Sequence, residues 1–382
     1  MMEVLYVIAD IDRAIPFEWI WDSFRSKRGV NISFCFIGQK LPQTMKILEN
    51  RGATTIYLRC DSKWSWPLTL WRLIRVYRKM RPDAIHCHLL SANILGLIAG
   101  AIISIKTRVY TRHHSIIHHS GCRKGIIWDY ISNSLATHIV SISQSTTYAL
   151  NKLEKVALRK LYLIPHGIPI DEIELNVRRR KGRFCARYNI SQDKFIIGVI
   201  SRPVEWKGIR HIVEAFAKLL ETYGTAKYHF VFMGGYVHNG GNPIVQYIRQ
   251  MLPRRTYTLI DFEQDIYSVY ADIDVLVHCP VDARVEAFGQ VYIEAIASGT
   301  PMLCTLSGVA AEILVENVNA MVVDYGDASK ISEGLHVLSS NKKLVDSLTS
   351  NAKMVLSEFR IELMVERLLK LYTGDLPSID CK

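Results

Sequence analysis

A chain of 382 residues is long for one domain, and 49% hydrophobic with 22% charged residues is too apolar for disorder and sufficient for two separate cores. Its net charge of +11 points to anionic partners; nucleic acid, an acidic membrane face and a phosphorylated small molecule all qualify. Eight cysteines stand singly at 35, 60, 87, 122, 185, 279, 304 and 381, with no Cys-x-x-Cys pair or zinc-like spacing, as reduced core thiols of a cytosolic protein do.

The N-terminus is too short and too acidic for a signal peptide and reads as a buried strand at 4–9. Further apolar runs predict strands at 32–37, 55–58, 84–88, 107–111, 139–143 and 161–164, with helical patterns between most of them. Residues 94–105 form the most membrane-like stretch, but about a dozen apolar residues fall short of the ~20 a spanning helix needs, which predicts a buried helix. Pro165-His166-Gly167-Ile168-Pro169 breaks this rhythm, and the basic run Arg178-Arg179-Arg180-Lys181 reads as a solvated, mobile connection, with direct phosphate binding as the alternative. The pattern then starts over, with strands at 195–200, 228–233, 257–260, 275–278, 302–305 and 320–323 and helices at 211–220, 243–252, 266–271 and 290–298. Residues 344–371 read as helical. The expectation is an α/β protein of two Rossmann-like, doubly wound domains, 1–175 and 176–355, with a C-terminal helix in 356–382 packing back toward the first. Ligands of such sheets bind outside the carboxyl ends of the strands, in a cleft that the two domains face.

Three segments of the second half carry candidate chemistry. Residues 201–208 follow a strand and precede a helix, so Arg202 and Lys207 either meet a diphosphate at a helix N-terminus or are solvated loop cations. Gly234-Gly235 and Gly240-Gly241 either let backbone approach a ligand or simply form turns. At 286–294, Phe288-Gly289 turns the chain into a helix; Glu286 and Glu294 could accept bonds from sugar hydroxyls, with Phe288 leaving room for a ring, or they could be acids favoured by the helix dipole.

Taken in order, Arg202…Lys207-Gly208, the glycine pair and Glu286-x-Phe-Gly-x-x-x-x-Glu294-Ala-x-Ala-x-Gly299-x-Pro301 resemble the retaining glycosyltransferases of family 4 (group 1), which have the GT-B fold. The 165–169 turn resembles that family's Pro-Asn-Gly-hydrophobic-Asp element, with His166 for Asn. The resemblance implies that Arg202 and Lys207 hold the donor diphosphate, Glu294 the ribose, and that Glu286 faces the donor sugar. Gly234 and the amides of Phe288 and Gly289 would help seat the donor. His113 matches a histidine placed near donor sugar and acceptor, completing a catalytic set of His113, Arg202, Lys207 and Glu286. The donor would be a nucleotide-diphosphate sugar, with no metal or other cofactor. One departure concerns the loop after the first strand, Asp10-Ile-Asp-Arg13-Ala-Ile-Pro16, which lacks the family's glycines; either it packs differently or Arg13 substitutes a side-chain contact.

The stretch 111–120 contains four histidines, with His86 and His88 nearby. Imidazoles at such spacing can share a metal, hydrogen-bond an acceptor or line a polar loop; acceptor contact through Arg112, His114 and His118 is the reading adopted. Trp64, Trp66 and Trp71, followed by Arg72, Arg75, Arg78, Lys79 and Arg81, form either a core helix with a solvated cationic face or a surface that lies on an anionic bilayer. The resulting expectation is transfer of a sugar to a lipid-linked or saccharide intermediate of surface polysaccharide (O-antigen, capsule or exopolysaccharide), in the cytoplasm and peripheral on the inner face of the plasma membrane. The rivals are a nucleotide-sugar 2-epimerase of the same fold and a basic nucleic-acid binder, for which no recognised motif is present.

Overall fold

The computed structural model describes residues 1–120 and 124–381, which divide into two compact units. The first comprises Met1–Ile168 and the segment from Phe359 onward; the second is Pro169–Glu358. Residues 169–175, read from the sequence with the first domain, thus belong to the second unit.

In the first unit, β1 (Met2–Ala9), β2 (Val30–Gly38), β3 (Thr54–Arg59), β4 (Ala84–His88), β5 (Thr107–Arg112), β6 (His138–Ser141) and β7 (Leu161–Leu163) form one parallel sheet in the order β3-β2-β1-β4-β5-β6-β7. β1 lies centrally, with Val4 opposite both Ile32 and Ala84, and is fully buried from Val4 to Ala9. A strand covered on both faces needs apolar residues in both registers, which is why it reads as a continuous run. Leu5 and Val7 share a core with Leu73, Tyr77 and Leu95 from the helices Trp66–Met80 and Leu90–Ile102. On the other face the Tyr6 ring meets Phe24 and Phe34, and its hydroxyl lies 2.8 Å from that of Tyr372. Leu90–Ile102 is the expected buried helix, and no helix among the described residues is long and apolar enough to cross a membrane.

The second unit repeats the plan with β8 (Phe195–Ile200), β9 (Tyr228–Met233), β10 (Tyr257–Ile260), β11 (Val275–His278), β12 (Met302–Cys304) and β13 (Met321–Val322), all parallel, in the order β10-β9-β8-β11-β12-β13. Phe216 of the Ile209–Tyr223 helix stacks on Phe230 of β9 with centroids 4.0 Å apart, and burial of such a side chain contributes about 1.5–3 kcal/mol. In each sheet the connections diverge to opposite sides at one point, between β1 and β4 and between β8 and β11. The carboxyl ends of those strands are where an open α/β sheet receives its ligand.

Two local expectations are corrected. The basic run is not a mobile connection: Arg178 and Arg179 end the helix Ile170–Arg179, where cations favour the helix dipole. Arg180 pairs with Asp265 and lies over the Tyr267 ring. The pattern at 344–371 is also not one helix. Lys342–Ala352 passes through a 3-10 segment into an extended Arg360 before the helix Ile361–Thr373 begins. There Ile168 donates to the Phe359 carbonyl and accepts from the Ile361 amide, fastening the returning chain to the first unit. Six cysteines are free and buried, as expected of core thiols; Cys122 and the Cys381 side chain lie outside the described residues.

Candidate active site

The loop leaving β8 is folded onto the loop leaving β11. Residues Glu205–Lys207 form one 3-10 turn that closes on Gly208, whose φ of +70° favours glycine. A Cβ at 208 would also overlap the Cys279 carbonyl oxygen, and the Val281 amide donates to the Trp206 carbonyl at 3.1 Å. This close approach brings the Lys207 ammonium to 2.5 Å from Glu286 Oε2, with His278 Nε2 3.3 Å from the same oxygen. All three side chains are nearly buried. Burial alone would raise the Glu286 pKa; the His278 hydrogen bond and the Lys207 charge outweigh it and pull the carboxyl down to about 2. For Lys207 burial is the larger influence and lowers its pKa, opposed by Glu286 and reinforced by nearby Arg202. An ammonium has three donors, and one contact to Glu286 leaves capacity for a phosphate. Arg202 stands exposed in the same loop.

Residues 280–289 are clamped against the chain after β12. The Ser307 hydroxyl donates to the Asp282 carbonyl and accepts from the Glu286 amide, and Thr305 Oγ1 donates to the Pro280 carbonyl. Gly308 is needed here: a Cβ would come within 2.7 Å of the Phe288 carbonyl oxygen and 3.0 Å of Glu286. Phe288 itself turns inward, only 3% exposed, with its carbonyl accepting from Val309. The expected approach of a sugar ring to its face is therefore corrected. Gly289, at φ +83°, starts the helix Gln290–Ser298 and supplies no side-chain cap, so the first-turn amides face the strand ends with no capping side chain of their own. Glu294 lies one turn further on, accepting from Gln290 Nε2 at 2.7 Å and the Tyr270 hydroxyl at 2.8 Å; burial raises its pKa against those two bonds. Gly234, after β9, sits against the Ser201 carbonyl, where only a glycine fits.

The second unit thus gathers Arg202, Lys207, Gly234, Glu286, Gly289 and Glu294 around the carboxyl ends of β8, β9 and β11. The sequence reading missed His278, Ser307, Gly308 and Tyr270. The Ser307-Gly308 pair after an apolar strand was the one available signal.

In the first unit His113 follows β5, and its Nε2 lies 3.0 Å from Nδ1 of His88, at the end of β4. The His166 ring stacks on His113 at 5.4 Å. His86, one register position behind, contacts the Tyr372 hydroxyl at 2.6 Å and Thr111 Oγ1 at 2.7 Å. Desolvation lowers every one of these imidazoles: His86 to about 3, His166 to about 4, and His88 and His113 well below the ordinary value, helped by mutual repulsion. At neutral pH the group is uncharged, and His113 serves as a hydrogen-bonding ring rather than a cation.

Acceptor contact through Arg112 is corrected. Its side chain is 1% exposed and its guanidinium is bound to Asp129 and Glu154, so it is a structural cation. His114 and His118 turn toward the same Asp129, at 3.3 and 2.6 Å. The ligating atoms of these three lie within 4.8 Å of one another, the spacing of a metal site. However, Arg112 already puts a fixed positive charge on that carboxylate at 3.0 Å, which disfavours a second cation, so the group is a hydrogen-bonded network. Arg13 points to Glu18 within its own unit, 3.6 Å away, and the glycine-free loop makes its left-handed turn at Asp10 (φ +52°), a residue type that tolerates it.

Comparison with known proteins agrees with the two-unit fold. The family described as Glycosyl transferases group 1 matches residues 182–355, and Glycosyltransferase Family 4 matches residues 27–172. The chain is 22% identical to the capsular polysaccharide biosynthesis glycosyltransferase CapM of Staphylococcus aureus, with 99% of both chains aligned. It is also 22% identical to an uncharacterized 41.2 kDa protein in the cps region of Klebsiella pneumoniae, over 78% of this chain and 81% of that one. Among solved structures, Anabaena HepE in complex with UDP and glucose superposes with a TM-score of 0.82 at 16% identity, covering 98% of this chain and all of that one. With one family match on each unit and this fold throughout, the chain is an enzyme of the group 1, family 4 glycosyltransferases with the GT-B fold.

Proposed function

We propose that the protein transfers a sugar, with retention at the anomeric carbon, from a nucleotide-diphosphate sugar to a hydroxyl of a lipid-linked or saccharide intermediate in surface-polysaccharide synthesis. One observation carries the donor part: the ammonium of Lys207, nearly buried between Glu286 and the Trp206 ring, with Arg202 in the same loop at the end of β8. Fixed cations in a dry site stabilise charge as it develops on a departing diphosphate, and need no reorganisation to do so. They fill the role that a divalent metal has elsewhere, and the reaction is proposed to be metal-independent. Glu286, held by two partners, is suited to orient the donor sugar rather than to attack it. Glu294 would take the ribose hydroxyls, and His113, as a neutral ring, a sugar hydroxyl. The relationship to CapM supports the polysaccharide setting, and HepE, which binds UDP and glucose, supports a nucleotide-sugar donor.

A cytoplasmic location against the anionic inner face of the membrane is supported by the Trp66–Met80 region, where Trp64 (95% exposed) and Trp71 (52%) stand among Arg72, Arg75, Arg78 and Lys79. The decisive experiment is a thermal-shift screen against UDP-, GDP- and ADP-sugars, followed by NMR of the product's anomeric configuration and the same reaction in EDTA. Stabilisation by one nucleotide class and a retained, EDTA-resistant product are expected. A protein that neither binds nor turns over any nucleotide sugar overturns the reading.

A further inference from the structure

A pocket of about 300 Å3 lies entirely within the first unit, at the carboxyl ends of β1 to β4. Its volume is at the lower end of the ~300–1,000 Å3 typical of small-molecule sites, enough for one sugar ring rather than a chain. The Trp66 and Trp128 rings meet edge to face in it, 5.6 Å between centroids. The Lys63 ammonium is held over both, 6.0 and 5.7 Å from their centroids. Two carboxylates line the same pocket. Asp10 is fixed by its left-handed backbone and by the Ser91 hydroxyl, which donates to Oδ2; no described residue donates to its other oxygen. Asp61 is exposed, steadied by Arg59 Nε at 2.9 Å and by Gln39, which donates to its carbonyl.

This combination matches the chemistry of a pyranose, which presents an apolar C–H face and a rim of hydroxyl donors. Indole rings receive the first, and carboxylate oxygens, which only accept, receive the second. The one ammonium lining it is drawn onto the indoles and Arg59 is engaged by Asp61, so the pocket is weighted toward acceptors, unlike the Arg202 and Lys207 loop. An acidic sugar would bring its carboxylate up to Asp10.

We infer that this pocket seats a neutral pyranose unit of the acceptor, with Trp66 and Trp128 supplying the stacking face and Asp10 and Asp61 accepting its hydroxyl hydrogens. The inference rests on the transferase reading above for the word acceptor, while the binding itself does not depend on it. The test is a saturation-transfer NMR titration of the full chain with the methyl glycosides of glucose, galactose, mannose and N-acetylglucosamine, and with methyl glucuronide as the anionic counterpart. At least one neutral glycoside should saturate and the glucuronide should not. Asp10→Asn, which keeps a residue tolerant of the left-handed turn, and Asp61→Asn, at an exposed position, should each weaken binding about tenfold, and Trp128→Phe should weaken it measurably, with melting temperatures unchanged. No saturable neutral glycoside, equal binding of the glucuronide, or wild-type affinity in all three variants overturns the inference. Calorimetry with UDP and GDP on the same samples reports the donor reading separately, since its failure appears as an absence of nucleotide binding in the unmodified protein.

Discussion

At the switch point of the second sheet, the end of β11 and the loops after β8 and β11 place a carboxylate 2.5 Å from an ammonium and 3.3 Å from an imidazole. At the equivalent point of the first sheet, β4 and β5 deliver His88 and His113, with His86 and His166 against them, and every member of that group is pushed toward its neutral form. The sheets share parallel order and the position of the reversal, yet one edge retains charge and the other suppresses it. What differs is whether a counter-ion is within reach of the buried group. Glu286 has Lys207, whereas the first unit's carboxylates Asp129 and Glu154 are spent on Arg112, away from the His88–His113 pair. A scaffold of this kind sets where chemistry occurs and leaves its character to a few loop residues.

The strongest way to break that comparison is Lys207→Ala. If the second edge works by fixed charge, kcat/KM should fall about 10²–10³-fold, as on losing one preorganised donor, and the melting temperature should drop as well because Glu286 is left buried with only His278 beside it; turnover at the normal rate would remove the charged edge from the mechanism. Next in size is Gly208→Ala, which asks whether the edge depends on the close approach of its two loops. With a positive φ and an overlap with the Cys279 carbonyl, it should lose about 2–4 kcal/mol in urea denaturation. Gly241→Ala, which meets nothing within 4 Å, should stay within about 0.5 kcal/mol.

Acidification sharpens the contrast. Below pH 6.5 an unfolded histidine takes up a proton that folded His86 and His166 refuse until about 3 and 4, so their contribution, complete above 6.5, is lost as the pH falls. Each should cost about 1.4 kcal/mol per pH unit in that window, read from denaturation midpoints. Glu286, depressed to about 2, adds its own loss only between 4.5 and that value, whereas His229 of the second unit, lowered to about 4, joins the first unit's histidines in the earlier window. On binding, Glu294→Gln, which keeps a polar group beside Tyr270, should weaken nucleotide affinity by only about threefold to tenfold in calorimetry.

Much of the fold was legible because buried parallel strands are written as unbroken apolar runs: 84–88, 195–200, 228–233, 257–260 and 275–278 are strands over those same residues. The residues proposed to hold the donor stood out through order and spacing. Side-chain direction was not. Phe288 beside a glycine resembles a platform, and only the fold of residues 305–309 shows that its ring is needed inside. Arg112 among histidines resembles a polar loop until Asp129 and Glu154, 17 and 42 residues away, claim it. His278 carried no signal, being the last residue of an apolar strand, and a helical period cannot announce the extended Arg360 that interrupts it.

The fastening of Ile168 to residues 359–361 has a consequence for how the protein is made. The second unit is continuous in sequence and has been synthesised in full before Phe359 is added. The first unit is begun before it and completed after it: Tyr372, which joins Tyr6 and His86 in the first unit's interior, is added only once the whole second unit has been made. The half that precedes the second unit must therefore wait, its central strand lacking one covering helix, while the half encoded between its two segments is free to fold.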